Sequence, residues 1–237
     1  MRIIIIGRGN VAVNLQLAFQ RKGITVPMLS SREGLRDMDR NADVYIYAVK
    51  DHAMQEVIAQ VHTERRALHL HTSGTLPMTI FGEDKPHCGI LYPIYTFSKS
   101  KPIEDFTQVP VFIEAKGIDD ITALYTLALN LTNRVYEATQ ADRARLHIAG
   151  VFANNFTNCM YGIAKDLLWG TSIPFEALLP IIDETAAKVH TLDPKVAQTG
   201  PAIRGDRNVL AEHIKNLPTD ELREIYRTLS KYINPSL

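Results

Sequence analysis

The chain has 237 residues, with 26 basic and 26 acidic side chains, so it is formally neutral and no global field favours nucleic acid or an anionic membrane. At 46% hydrophobic it can bury a proper core, and no apolar run reaches membrane-spanning length. Two distant cysteines, Cys88 and Cys159, exclude a disulfide framework and a cysteine-paired zinc site; with an N-terminus that enters a strand directly and leaves no room for a signal peptide, they predict a cytoplasmic protein.

Ile3 to Ile6 form an unbroken β-branched run, the pattern of a central parallel strand covered on both faces. Gly7, Gly9 and Ala12 follow at the spacing G-x-G-x-x-A, and an amphipathic helical pattern runs from Val11 to Arg21 before Gly23 stops it. In a dinucleotide site the first glycine allows the tight turn, the second lets a pyrophosphate approach the backbone, and the alanine lets helix and strand pack closely. The free N–H groups at the helix start face the anion. This reading makes Gly7, Arg8, Gly9, Asn10, Val11 and Ala12 cofactor contacts; the alternative is an ordinary strand-turn-helix whose glycines serve only the turn.

Ile24 to Leu29 is the second predicted strand, ending in Ser30-Ser31-Arg32. A site preferring NAD carries an acid here for the ribose 2′-hydroxyl, whereas a guanidinium holds a 2′-phosphate through paired hydrogen bonds. Ser30, Ser31 and Arg32 therefore point to NADP(H), with a solvated loop arginine as the alternative. Asn41 to Val49 is the third strand, and Asp51 is expected to cap a helix reaching Val61. Arg66 to His71, Gly89 to Tyr92 and Val111 to Glu114 are further strands. Ligands of an open α/β sheet sit beyond the strand carboxyl ends. Val49, Lys50, His71, Thr72 and Ser73 are accordingly read as cofactor contacts, and Tyr92 and Thr96 as substrate contacts, each with a loop-closing role as the alternative. His69 and His71 share a strand face, but no third ligand accompanies them and no metal is expected.

Ile118 to Leu131 reads as a helix and Arg134 to Ala138 as the last strand, after which strand-like alternation ends. The predicted boundary divides 1–139, a dinucleotide-binding domain, from 140–237, a helical domain for substrate and dimerisation. Ala141 to Trp169 reads as one long helix, broken at Gly170 and Pro174, followed by helices over Phe175 to Leu192, Arg207 to Asn216 and Thr219 to Ile233. On the long helix His147, Gly150, Val151, Asn154, Asn158 and Tyr161 fall at helical spacing on one face. That stripe either faces a ligand or bonds to a neighbouring helix. Histidine titrates near neutrality, which makes His147 the first choice as proton donor, with Asn154 and Asn158 orienting the substrate and Ser73 and His71 as second choices. Glu184 and Lys188 lie one turn apart, as a substrate contact or a solvated pair. Gln198, Thr199 and Arg204, in the turn-rich stretch up to Asp206, suit a substrate carboxylate.

Taken together, Gly7-Arg-Gly-Asn-Val-Ala12, Ala48-Val-Lys-Asp51, His71-Thr-Ser-Gly74, Tyr92-Pro-Ile-Tyr-Thr-Phe97, His147 to Asn158, Glu184-Thr-Ala-Ala-Lys188 and Ala197 to Asp206 resemble a bacterial group of NADP oxidoreductases. Its members pair a Rossmann-like domain with a C-terminal domain of unknown function, DUF2520. More distantly the architecture resembles pyrroline-5-carboxylate reductase and the β-hydroxyacid dehydrogenases. The resemblance implies a Rossmann-type parallel sheet followed by an all-α domain like that of 6-phosphogluconate dehydrogenase, with NADP(H) as cofactor. In β-hydroxyacid dehydrogenases the long helix carries G-x-x-x-K-x-x-x-N with a catalytic lysine; here Gly150 and Asn158 match and Asn154 replaces the lysine. An amide cannot trade a proton near neutral pH.

The expected function is hydride transfer between NADP(H) and a small polar substrate at C=N or C=O. The missing lysine keeps open a non-catalytic NADP(H)-binding sensor or regulatory protein. The long helix is apolar on several faces and the last hundred or so residues are a thin core, which predicts a homodimer built through the C-terminal domain.

Overall fold

The computed structural model describes residues 1–32, 35, 38–63 and 66–237. Seven strands form one sheet in the order β2-β1-β3-β4-β5-β6-β7: Met28–Leu29, Ile3–Ile6, Val44–Tyr47, Leu68–His71, Cys88–Pro93, Val111–Ala115 and Val135–Glu137. Among the described residues only the pairing of β5 with β6 is antiparallel. From β1 the chain goes first to β2 on one side and then to β3 on the other, so the strand order reverses between β1 and β3.

Side-chain alternation along the central strands feeds two cores. Ile3, Ile5, Val44 and Ile46 pack with Leu15 and Phe19 of α1 (Asn10–Arg21) and with Leu124 and Leu127 of α3 (Ile118–Leu129). Ile4, Ile6, Tyr45 and Tyr47 pack on the opposite face with Met54, Val57 and Ile58 of α2 (Asp51–Gln60) and with Phe81. A strand covered on both faces needs no polar positions, which explains the unbroken isoleucine run of β1.

Three elements differ from expectation. Strand β2 is two residues long because Pro27 has no N–H to give the ladder; its carbonyl accepts from Ile5 N–H at 3.0 Å and regular pairing begins at Met28. Asp51 lies within the first turn of α2 rather than at its cap, which is Lys50. The long helix is interrupted: α4 (Gln140–Gly150) passes into a π-helical stretch, Val151–Phe156, before α5 (Thr157–Leu167) resumes. The stretch begins after Gly150 and contains Asn154 and Asn155, weak helix formers. Thr157 Oγ1 donates to Phe152 O, five residues back.

Strand character ends at Glu137, but compactness divides the chain later, into Met1–Tyr161 and Gly162–Leu237. The second unit contains α6 (Leu179–Lys188), entered through a 3-10 turn at Phe175–Leu178, then α7 (Pro201–Arg204), α8 (Arg207–Asn216) and α9 (Asp220–Ile233). The short α7 is a helix the sequence pattern does not reveal; Gly200 and Gly205, both at positive φ, bracket it with Pro201 at its start. Of the second unit's residues only Ala202 and Leu210 are buried.

Candidate active site

The turn after β1 is shaped by close backbone approach. Gly7 has φ +131°, and a Cβ built on it would lie 2.2 Å from Ala48 O at the end of β3. No other residue fits there. Gly9 occupies the cap position of α1; among the described residues nothing lies within 4 Å of its missing Cβ and no side chain caps the helix. An anion can therefore reach the uncapped N–H groups of Asn10, Val11 and Ala12 across open space. Arg8 is exposed beside this turn, and Ala12 is fully buried against the strand. On the neighbouring loop Ser30 Oγ accepts from Arg32 N–H at 3.3 Å, which leaves the Arg32 side chain exposed. Val49 packs its Cγ1 against the Gly7 position, and Lys50 beside it is exposed. These residues share the carboxyl ends of β1, β2 and β3, and the geometry fits a dinucleotide.

The loop after β4 is knitted rather than open. Ser73 Oγ donates to Asp51 Oδ2 at 3.0 Å and accepts from the N–H groups of Thr75 and Leu76 at 3.1 and 3.0 Å. Thr75 Oγ1 donates to the same carboxylate oxygen at 2.8 Å. Thr72 N–H donates to Tyr47 O at 3.2 Å. Ser73 and Thr72 are thus loop-closing groups, and Asp51 anchors this loop. His71 is fully buried; its Nδ1 accepts from Ser73 N–H at 3.2 Å. Burial first, and then the Arg143 charge, lower its pKa from 6.5 to about 4, so it is neutral at physiological pH and no proton donor.

Beyond the ends of β4 and β5 a different pair stands out. Tyr92 Oη lies 3.1 Å from His147 Nδ1, joining β5 to α4. A methyl group on Gly74 would sit 2.8 Å from Tyr92 Cζ, 2.9 Å from its oxygen and 3.0 Å from His147 Nδ1. The pair therefore requires the glycine. Tyr92 is buried, which raises its pKa; the Arg143 charge opposes that rise. His147 is exposed on its other side. Arg143, one turn earlier on α4, is fully buried: it bonds Glu114 of β6 and donates to Leu76 O at 2.9 Å. Sequence reasoning missed Arg143, because an arginine in an amphipathic helix ordinarily faces water.

The family model described as a domain of unknown function, DUF2520, matches residues 109–233. The BF3122 protein of Bacteroides fragilis, named as a candidate NADP oxidoreductase, is 39% identical with a TM-score of 0.91, over 99% of this chain and 98% of that one. The chain belongs to the DUF2520 family. A second solved structure, TM1727 of Thermotoga maritima, is 18% identical over 99% and 98% of the two chains with a TM-score of 0.71. An imine reductase of Myxococcus stipitatus, solved with NADP+, shares the fold at 15% identity, TM-score 0.60, over 98% and 91% of the two chains. No curated protein matches.

In this DUF2520 chain the polar stripe of the long helix does not stay in line. A π turn holds an extra residue and rotates the helix beyond it by about 100° relative to an uninterrupted one. His147 precedes the π stretch; Asn154 lies inside it and Asn158 after it, so the face that contained all three in a regular helix is split. Both amides are exposed. Thr96 is exposed on the segment after β5. In the second unit the predicted substrate contacts have local partners: Lys188 pairs with Glu184 at 3.6 Å, Gln198 Nε2 donates to Thr199 O at 2.9 Å, and Arg204 Nε donates to Asp206 Oδ2 at 2.9 Å.

Proposed function

We propose that this chain is an NADP(H)-dependent oxidoreductase that moves a hydride to or from a small polar substrate at C=N or C=O. The observation that carries the reading is the Tyr92–His147 hydrogen bond at the strand carboxyl ends, in the same compact unit as the glycine turn. The nicotinamide, when bound, supplies or accepts the hydride. Gly7, Gly9 and the first turn of α1 hold the pyrophosphate, and Arg32 the 2′-phosphate. Burial keeps the Tyr92 phenol protonated, and as an imidazolium His147 donates Nδ1–H to Tyr92 Oη, which fixes the ring and aims Nε2–H at the substrate. His147 gives that Nε2 proton to the substrate nitrogen or oxygen as its carbon takes the hydride, leaving a neutral imidazole, and Asn154 and Asn158 orient the substrate. Turnover in a screen of imines and keto acids with NADPH tests the reading. A second reading, a non-catalytic NADP(H) sensor, is favoured by Asn154 at the lysine position, and cofactor binding without turnover across the screen would select it.

Cofactor choice gives a direct check. Loss of a charge-assisted phosphate contact costs about 1.5–3 kcal/mol, or roughly ten- to hundredfold in affinity. Arg32→Ala should weaken NADPH by that factor and spare NADH. Equal affinity of the wild type for both cofactors would reject NADP(H) preference.

The functional domains in this reading are 1–139 for the cofactor and 140–237 for substrate and dimerisation, in a cytoplasmic homodimer. Support comes from the second unit's surface, where Trp169 is 90% exposed, Tyr232 87% and Val196 74%. Exposed apolar side chains of this size favour association with a second copy. In the dimer the loop of Gln198, Thr199 and Arg204 completes the partner's site. Light scattering at low micromolar concentration should give twice the 26.6 kDa chain mass; a concentration-independent monomer with full cofactor binding would refute the dimer. Among the described residues no helix is long and apolar enough to cross a membrane.

A further inference from the structure

The segment after β5, from Thr96 to Ile103, runs along α1 and is tied to it by side chains of that helix. Lys99 N–H donates to Asn10 Oδ1 at 3.1 Å. Asn14 Nδ2 donates to Ser98 O at 3.1 Å, and Asn14 Oδ1 accepts from Ile103 N–H at 2.8 Å. Arg21 Nη1 donates to Ile103 O. Phe97 packs on the core with its ring 6.0 Å from Phe106. Asn14 is 2% exposed, and a buried amide persists in a helix when both its ends are bonded, as here. One helix thus fixes the strap at its centre and at its far end.

The tie brings a charge to the glycine turn. The backbone nitrogen of Lys99 touches the side chain of the first residue of α1, the uncapped end where the sheet's anion site opens. A lysine ammonium on a flexible four-carbon stem works as a mobile point charge within one side-chain length of that position. Lys99 is exposed and, among the described residues, makes no ion pair.

We propose that Lys99 is a pyrophosphate ligand of the dinucleotide, delivered to the turn by the strap that Asn10 and Asn14 hold. This rests on the NADP(H) reading and divides its phosphates: Arg32 takes the 2′-phosphate, and Lys99 the pair common to NADPH and NADH. The test titrates both cofactors into the full-length wild type and Lys99→Gln, following nicotinamide fluorescence, with melting curves taken without cofactor. Lys99→Gln should weaken NADPH and NADH alike by about tenfold, keep their ratio and the melting temperature, and be largely rescued by Lys99→Arg. Asn10→Ala, which unties the strap and keeps the lysine, should weaken both cofactors and leave Lys99→Gln little further effect. Unchanged affinity in Lys99→Gln, or a loss confined to NADPH, overturns the proposal while the cofactor reading stands. Fully additive losses in the double variant overturn the delivery by the strap. A wild type that binds neither cofactor removes both readings together.

Discussion

His147→Ala should lower turnover by about 10²–10⁴-fold, the usual contribution of a positioned acid or base, while NADPH affinity stays near that of the wild type. Tyr92→Phe keeps the ring and removes the oxygen that fixes His147 Nδ1, so it should lose a smaller share of the same effect. Gly74→Ala probes the pair without deleting either member. Its methyl group meets Tyr92 Cζ at 2.8 Å and His147 Nδ1 at 3.0 Å, so the hydrogen bond must open. If His147 and Tyr92 act as one device, Tyr92→Phe and Gly74→Ala should be strongly non-additive, and neither should do much once His147 is gone. Single-turnover rates on a substrate from the imine and keto-acid screen measure this. Wild-type rates in His147→Ala would exclude the histidine as proton donor, and full additivity would separate the two residues.

Local pattern reveals the sheet and conceals the site. The Ile3–Ile6 run and the Gly7 turn are readable because burial on two faces and a positive φ each demand particular residue types close in sequence. Pro27 misleads: Val26 is buried, so the stretch from Ile24 reads as strand, yet a proline withholds the N–H that pairing needs. The long helix misleads in another way. Its residues repeat at α-helical spacing, and nothing in that spacing announces the extra residue of the π stretch, which decides whether Asn154 and Asn158 follow His147 around the helix. Tyr92 and His147 are both legible as polar residues in suggestive places, but their contact spans 55 positions and depends on how α4 crosses β5. Asn14 looks like any polar residue of an amphipathic helix; only the fold shows it buried and holding a distant loop.

Arg143→Met should destabilise the protein by about 3–5 kcal/mol, the cost of breaking a buried ion pair from one side. The arginine is fully buried and bonds the carboxylate of Glu114, whose side chain is 25% exposed, and it also donates to Leu76 O. Removing it strands a carboxylate and a carbonyl together. The partial exposure of Glu114 lets water relieve some of that loss, which places the expected value toward the lower end of the range. Arg143→Met combined with Glu114→Leu removes both charges and should recover much of the stability, because an apolar pair of similar volume often replaces a buried ion pair without penalty. Catalysis should not recover with it. Arg143 anchors α4 to β6 and to the loop after β4, and His147 stands one turn further along the same helix face. Loss of the anchor loosens the Tyr92–His147 contact, and loss of the cation removes the charge that opposes the rise of the Tyr92 pKa. Denaturation midpoints of the two variants, read beside their kcat and KM, separate the effects. A double variant restored in stability and low in kcat supports positioning by Arg143; one restored in both shows that the arginine serves the fold alone.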